Sequence, residues 1–265
     1  MRQDRRAISE RFDRRAATYD QSRMHQWQAR QAARLLAPVA GQSLLDIATG
    51  TGLAARAVSD LTGPTGRVVG IDVSHQMLRV AAAQPGYPQH RYVRADAQRL
   101  PFQAAVFDAV LCVAAIPYLP DLDHAVAEWW RVTRRGGALV FTTPAEDGIT
   151  VFRLLRHAAA EHGVQLASPD AGSDSPQHIT TRAHALALAV ETVQRQTFPE
   201  PLDADPRAAF DHILDYGFAD PLRTTADRVR RDVYRSYRDA YLTERASGSG
   251  EHTVLFTKCH FPHKT

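Results

Sequence analysis

The sequence contains few of the residues on which several classes of protein depend. Only two of its 265 residues are cysteines, Cys112 and Cys259, which is too few for a disulfide framework in a chain of this length. No Cys-x-x-Cys pair occurs, and His157 and His162 are five residues apart, which does not match the spacing of helical zinc ligands. A phosphate-binding Walker loop and a Gly-x-Ser-x-Gly nucleophile motif are also missing. We therefore predict no metal site, no nucleotide-phosphate binding by a Walker loop and no serine nucleophile of this type.

Long hydrophobic runs and an excess of one charge are lacking too. The N-terminus is charged, and no apolar stretch of signal or membrane-span length follows it. The low cysteine count is the usual one in a reducing compartment. With 32 basic and 29 acidic residues, the net charge of +3 is too small to indicate nucleic-acid binding. We expect a cytoplasmic protein that binds no nucleic acid and does not span a membrane.

The remaining composition is that of an ordinary globular protein. Hydrophobic residues make up 44% of the chain and charged residues 23%. A chain of 265 residues can bury one sizeable core, with a lid or a small second lobe. Composition therefore indicates a globular protein, and the function has to be sought in its motifs.

A glycine-containing loop follows the first apolar run. The segment 43–52, Ser-Leu-Leu-Asp-Ile-Ala-Thr-Gly-Thr-Gly, precedes a helical pattern, so we predict a strand, a tight loop and the start of a helix. Gly50-x-Gly52-x-x-Ala55 also fits the dinucleotide fingerprint of nicotinamide enzymes, and Asp72 lies about twenty residues beyond it. Against that interpretation, Asp46 interrupts the apolar run just before the loop.

Two further predicted strands also have an acid at their carboxyl end. The strand over 67–73 contains Asp72 and the strand over 91–97 contains Asp96. Open α/β sheets bind ligands at the carboxyl ends of their strands. A carboxylate there can accept hydrogen bonds from both hydroxyls of a ribose, and such charge-assisted bonds are strong. The pattern favours a nucleoside-binding crevice.

These motifs together resemble class I S-adenosylmethionine (SAM) methyltransferases. The sequence Leu-Asp-Ile-Ala-Thr-Gly-Thr-Gly is similar to the family's glycine loop, although Ala48 stands where glycine is commoner. The Asp-Ala-x-x-Leu-Pro-Phe segment from Asp96 and the Arg-Val-x-x-x-Gly-Gly-x-Leu-Val segment from Arg131 are also similar to family patterns. The resemblance covers residues 10–143 well. Within the class, the opening segment and the loop resemble quinone-biosynthesis C-methyltransferases and natural-product relatives.

The resemblance implies a fold and a cofactor site. The fold would be α/β, with a Rossmann-like, doubly wound, mostly parallel seven-stranded sheet, an antiparallel last strand at its edge, and helical lid insertions. SAM would be the cofactor and S-adenosylhomocysteine the product. Asp72 would bind the ribose, while Asp96 and the Ala97 backbone would read the adenine. The expected cofactor-binding residues are Tyr19, Asp46, Ala48, Thr49, Gly50, Gly52, Asp72, Val73, Met77, Asp96, Ala97 and Val113.

A general base is harder to assign. Relatives often have a pair of histidines where this chain has Pro117-Tyr118. Tyr118 is the first candidate by position, and packing at a strand exit is its alternative role. The candidates for a proton-transfer residue are Tyr118, His124, Asp147, His157 and His178.

The expected organisation has three parts. Residues 1–40 would form an N-terminal helical lid and 41–145 the SAM-binding core. Residues 146–265 would complete the sheet and add helical insertions at about 148–180 and 206–246. In the helix over 226–242 the arginines share one face and the tyrosines an adjoining stripe, which favours a solvated face and a lid anchored by tyrosines over RNA binding.

We therefore predict an enzyme that transfers a methyl group from SAM to a C, N or O atom of a small molecule, in natural-product biosynthesis. Quinone biosynthesis is the alternative pathway. A nicotinamide oxidoreductase and a non-catalytic SAM-binding protein are alternatives from other classes. The acceptor, and whether the chain forms a homodimer, stay open.

Overall fold

The computed structural model describes residues 5–168, 172–214 and 216–262, and a seven-stranded sheet is its central element. The strands lie in the order β3-β2-β1-β4-β5-β7-β6. Strands β1 to β5 pair in parallel, and the last strands are antiparallel. The strands are β1 (Ser43–Ile47), β2 (Arg67–Asp72), β3 (His90–Arg94), β4 (Phe107–Cys112), β5 (Thr133–Ile149), β6 (Ala189–Pro199) and β7 (Glu251–His260).

Ten α-helices accompany the sheet in the described residues. They are α1 (Arg5–Arg15), α2 (Arg23–Leu36), α3 (Leu53–Thr62), α4 (His75–Ala82), α5 (Leu122–Val132), α6 (Thr150–Glu161), α7 (Pro176–Ala185), α8 (Pro206–Leu214), α9 (Asp220–Arg223) and α10 (Asp227–Ser247). Short side chains cap four of these N-termini, because Ser22, Ser74, Asp121 and Asp205 each accept a hydrogen bond from a backbone N–H of the following turn.

The central strands are apolar and buried, as expected for parallel strands covered on both faces. Ile47 of β1 pairs with Ile71 of β2 on one side and with Cys112 of β4 on the other. Asp72, the last residue of β2, pairs with Arg94 of β3. This register places the loops after β1, β2, β3 and β4 at one edge of the sheet. The glycine loop and the strand-end acids lie at this same edge, as the sequence predicts.

The chain divides into two compact units. The first unit comprises residues 1–143, 176–194 and 256–265, and its core includes Leu45, Ile71 and Trp129. The second unit comprises residues 144–175 and 195–255, and helices α6, α8 and α10 pack in it around Phe210, Tyr237 and other apolar side chains. No composition shift in the sequence indicated this division.

Two local predictions are wrong. The last strand, β7, lies between β5 and β6 and not at the edge of the sheet, because β6 pairs on its outer side. The sequence pattern predicts a helix that starts at Thr180, with Thr180 or Thr181 as its cap, but α7 begins at Pro176. Thr180 lies within the helix, where its hydroxyl donates to the Pro176 carbonyl instead of capping an N-terminus. The polar, turn-rich segment 168–176 is predicted to be a loop, and it falls partly outside the described residues, since 169–171 are not among them.

Candidate functional site

A pocket with an empty volume of about 720 Å³ opens at the strand ends of the first unit. Most of its lining is apolar, and two carboxylates interrupt it. A mostly apolar lining with a few polar groups is typical of small-molecule sites. The lining residues are Arg5, Ile8, Phe12, Tyr19, Ala48, Gly50, Ile71, Asp72, Val73, Met77, Ala95, Asp96, Ala97, Val113, Ala114, Ala115, Tyr118, Leu119 and Pro120.

Several residues of the glycine loop have a left-handed backbone, with positive φ angles. Ala48, Gly50 and Gly52 have φ angles of 50°, 55° and 82°. At Gly52 a side chain would also lack space, because an added Cβ would lie 2.6 Å from the Tyr92 hydroxyl. Ala48 adopts the same strained region without being glycine, which costs about 1–2 kcal/mol. The loop therefore brings backbone atoms close to the pocket, as the sequence pattern predicts.

Asp72 is the best-buried charged group of the pocket lining. One carboxylate oxygen accepts the Gly50 N–H at 2.9 Å, and the other accepts the Ser74 N–H at 2.8 Å. Only 8% of the residue is exposed, and this burial raises the pKa of the carboxyl. A carboxylate has about four lone-pair sites, so it can accept further donors from the pocket.

Asp46 lies beneath the loop and is not part of the lining. Its carboxylate accepts the Thr49 hydroxyl at 2.5 Å, and its burial raises the pKa to about 7. The Thr49 N–H in turn donates to the Ile71 carbonyl at 2.8 Å. Asp46 and Thr49 thus hold the loop from behind, and their predicted contact with a cofactor stays a prediction, as does that of Gly52.

Asp96 follows β3 and also lines the pocket. One oxygen of its carboxylate accepts the Gln98 N–H at 3.0 Å, and the other pairs with the Arg5 guanidinium. The adjacent Ala97 is also in the lining. Asp72 and Asp96 therefore face one cavity. Arg5 is a pocket residue that the sequence analysis did not identify, and no motif around it would have done so.

Helix α1 is tied to the loop that follows β2. The Ser9 hydroxyl donates to the Val73 carbonyl at 3.2 Å. Asp13 accepts both the Ser74 hydroxyl at 2.6 Å and the Gln76 N–H at 3.1 Å, which supplies an acid at the start of α4. These contacts place Phe12 in the lining of the pocket.

A second attachment holds Tyr19 beside the glycine loop. The Asp20 carboxylate accepts the Thr51 hydroxyl and a guanidinium N–H of Arg56, the latter at 2.9 Å. Arg56 also donates to the Thr51 carbonyl at 2.7 Å. Tyr19 stacks on His25 with ring centroids 4.4 Å apart and lines the pocket. No local sequence pattern indicated these partners of Asp20, or those of Asp13.

The exit of β4 forms another wall. Ala114 has a φ of 55°, and the segment continues through a short 3-10 helix, Ile116–Tyr118. The Tyr118 ring packs edge-on against Phe12, with centroids 5.1 Å apart. Tyr118 is therefore a lining residue that α1 holds in place.

The other proton-transfer candidates lie elsewhere. His124 is exposed in the first turn of α5 and does not line the pocket. His178 is exposed in α7. His157 is exposed on α6 of the second unit, and Asp147, also in that unit, pairs with Arg156 at 2.5 Å. The pocket therefore brings together Tyr118 and most of the predicted cofactor residues, but none of these four.

A SAM molecule fits the chemistry of this lining. Asp72 and Asp96 offer acceptors for hydroxyl and amino donors, Val73 and Met77 offer an apolar surface for a purine ring, and the glycine loop offers close backbone approach. Within the described segments, no three histidine, cysteine or acidic residues come together as a metal site. No helix in the described part of the chain has the length and apolar character needed to cross a bilayer.

Part of the chain is similar to known proteins. Residues 45–141 match the family model described as a methyltransferase domain. The chain is 37% identical over 154 residues to the demethylmenaquinone methyltransferase of Deinococcus radiodurans, which covers 56% of this chain and 63% of that protein. The chain spans between 42% and 63% of the length of the first curated relatives that it matches.

Solved structures share the fold along most of the chain. A chain in the complex of the Haloferax volcanii Trm112 methyltransferase activator has a TM-score of 0.64 at 23% identity, with coverage of 97% of this chain and 99% of that one. The Haemonchus contortus phosphoethanolamine N-methyltransferase 2, bound to phosphomonomethylethanolamine and S-adenosylhomocysteine, has a TM-score of 0.54 at 18% identity, over 89% of this chain and 52% of that one. At these identities the likeness shows the fold.

Proposed function

We propose that this chain, whose resemblance to class I methyltransferases the comparisons confirm, transfers a methyl group from SAM to a small-molecule acceptor. The observation that carries the proposal is the shared pocket of Asp72 and Asp96, two carboxylates at the ends of neighbouring strands beside a glycine loop. Such a cradle suits a nucleoside, and the family match supports SAM as that nucleoside.

Each part of the pocket would hold one part of the cofactor. Asp72 would accept the two ribose hydroxyls, since its lone pairs are not all used by Gly50 and Ser74. Asp96 and the Ala97 backbone would bind the adenine edge. Because Arg5 already pairs with Asp96, binding would require Arg5 to share that carboxylate or to move away.

The chain's own contribution to the reaction is orientation and exclusion of water. When bound, SAM supplies an activated methyl group on a sulfonium. Phe12, Tyr19 and Tyr118 present aromatic walls that keep the pocket dry and can align a flat acceptor. Orientation of this kind can contribute on the order of 7–11 kcal/mol to lowering a barrier. Tyr118 is the proton-transfer candidate that lines the pocket.

An apolar aromatic metabolite is the acceptor class that this lining favours. Two pathways offer such molecules. Natural-product biosynthesis is the first candidate, and the helices inserted at 144–175 and 195–255 support it, since a specialised acceptor calls for added structure. Quinone biosynthesis is the second, and the similarity to the demethylmenaquinone methyltransferase of Deinococcus radiodurans supports it.

Methyl transfer can be tested directly with SAM labelled in its methyl group. The purified protein is incubated with demethylated quinone precursors and, separately, with a panel of aromatic metabolites, and label in the extracted products is counted. Label in an aromatic metabolite alone supports the first pathway, and label in a quinone alone supports the second. A protein that binds S-adenosylhomocysteine and labels no acceptor in either panel would contradict the proposed activity.

A further inference from the structure

The hydroxyl of Thr142 joins two distant parts of the first unit. Thr142 lies on β5 and is fully buried. Its oxygen accepts the side-chain N–H of Gln28, on α2, at 2.6 Å and the backbone N–H of Ala114, just after β4, at 2.8 Å. Gln28 is itself only 3% exposed. A threonine hydroxyl has two acceptor lone pairs, so these two donors use both of them.

The residue held by this hydroxyl has an unusual backbone. Ala114 lines the pocket and has a φ of 55°, in the left-handed region that residues other than glycine seldom adopt. Such a conformation persists only where the surroundings hold it, and strained positions of this kind cluster at functional sites. The backbone N–H of Ala114 is directed to Thr142, so the side chain of a neighbouring strand fixes this turn of the chain.

The turn determines where a wall of the pocket lies. Ala114 begins the segment that leads to Tyr118 and Leu119, both lining residues. A change of φ at Ala114 would therefore shift the aromatic ring that faces Phe12. Gln28 orients the Thr142 hydroxyl from the side of α2, which lies outside the pocket lining.

We propose that Thr142 is a positioning residue, with Gln28 as its support: its hydroxyl holds Ala114 in the left-handed conformation and so fixes the Ala114–Tyr118 wall of the pocket. The consequence for cofactor and acceptor rests on the proposed function. The effect on the backbone does not, because it is a property of the chain without any ligand.

The test compares Thr142→Val with Thr257→Val. Thr257 is a buried strand threonine of the same unit, and its hydroxyl has no hydrogen-bond partner in the described residues. Valine preserves the shape in both cases, so the two variants differ in the lost contacts. Amide hydrogen exchange in the ligand-free protein should be roughly 2- to 10-fold faster at Ala114 in Thr142→Val and unchanged there in Thr257→Val.

Two further variants keep the test interpretable if Thr142→Val folds poorly. Thr142→Ser retains the hydroxyl and should restore slow exchange at Ala114, whereas Gln28→Leu should accelerate it less than Thr142→Val does. With a methyl acceptor, Thr142→Val should lower kcat more than it changes KM for SAM, and Thr142→Ser should recover kcat. A structural defect alone would not produce this pattern.

The outcomes separate this proposal from the proposed function. Equal exchange at Ala114 in Thr142→Val and Thr257→Val would overturn the positioning role, whatever the protein binds. Faster exchange at Ala114 in Thr142→Val, together with a wild-type protein that does not bind S-adenosylhomocysteine, would support the positioning role and contradict the methyltransferase proposal.

Discussion

The two compact units differ in the surroundings of the polar groups that they bury. The first unit buries two carboxylates next to its pocket, Asp46 and Asp72, and gives each of them hydrogen-bond donors. The core of the second unit is a cluster of aliphatic and aromatic side chains, in which the Tyr237 hydroxyl has no partner among the described residues. A buried carboxylate is costly unless its surroundings are specific, whereas many sequences can fill an apolar core. The second unit also buries a carboxylate, that of Asp174, so it is the position of Asp46 and Asp72 next to the pocket that indicates a site in the first unit.

The largest expected effect concerns Asp72. Replacing it by alanine would leave the ribose hydroxyls without their acceptor, so Asp72→Ala should weaken S-adenosylhomocysteine binding by roughly 2–4 kcal/mol. Isothermal titration calorimetry measures this directly. Asp60→Ala is the control, since Asp60 is an exposed acid of the first unit whose carboxylate accepts a hydrogen bond from the Tyr87 hydroxyl. An unchanged affinity in Asp72→Ala would show that the cofactor binds elsewhere.

The next effect is a pH dependence that arises from Asp46. Its carboxyl has an ordinary pKa of 3.8, which burial raises to about 7 in the folded protein. Between these values the native state binds more protons than the unfolded chain. Stability from Asp46 is therefore fully present below pH 4 and is lost as the pH rises through 7, with a slope of at most about 1.4 kcal/mol per pH unit.

Asp46→Asn should remove this contribution. The free energy of unfolding, measured by urea denaturation from pH 4 to pH 8, should fall less with pH in the variant than in the wild type. Asp211→Asn, at an exposed acid of the second unit, should parallel the wild type. Parallel curves for wild type and Asp46→Asn would contradict the burial argument.

The smallest effect distinguishes two tyrosines of the second unit. Tyr237 and Tyr241 are both buried, but the Tyr241 hydroxyl donates to the Asp203 carbonyl at 3.2 Å and the Tyr237 hydroxyl has no such partner in the described residues. Tyr241→Phe should cost about 1 kcal/mol of unfolding free energy, while Tyr237→Phe should be neutral or stabilising by up to about 1 kcal/mol. Chemical denaturation measures both, and equal losses would contradict the assignment.

The strand ends of the first unit were predictable from the sequence. An apolar run followed by an acid is a local pattern, and the parallel register then places Asp72 and Asp96 at one edge without further information. The position of Asp46 shows what a local pattern cannot predict. The same motif is compatible with an acid in the pocket and with an acid beneath the loop, and the Thr49 hydroxyl beside it binds its carboxylate there.

Contacts between distant segments were not predictable in this way. The partners of Asp13 and Asp20 are 61 and 31 residues away in the chain, and no spacing rule connects them. The helix α10 was predicted correctly as a helix with exposed arginines, but Tyr237 and Tyr241 are fully buried in the core of their own unit. Periodicity identifies the apolar face of a helix, and it does not identify what covers that face.

Calorimetric titration of the wild-type protein tests the central claim most directly. S-adenosylhomocysteine and NADH are titrated separately into the full chain. Our account predicts saturable binding of S-adenosylhomocysteine at one site per chain and no heat of binding with NADH. Binding of NADH with no binding of S-adenosylhomocysteine would contradict it and would identify the glycine loop as a nicotinamide site.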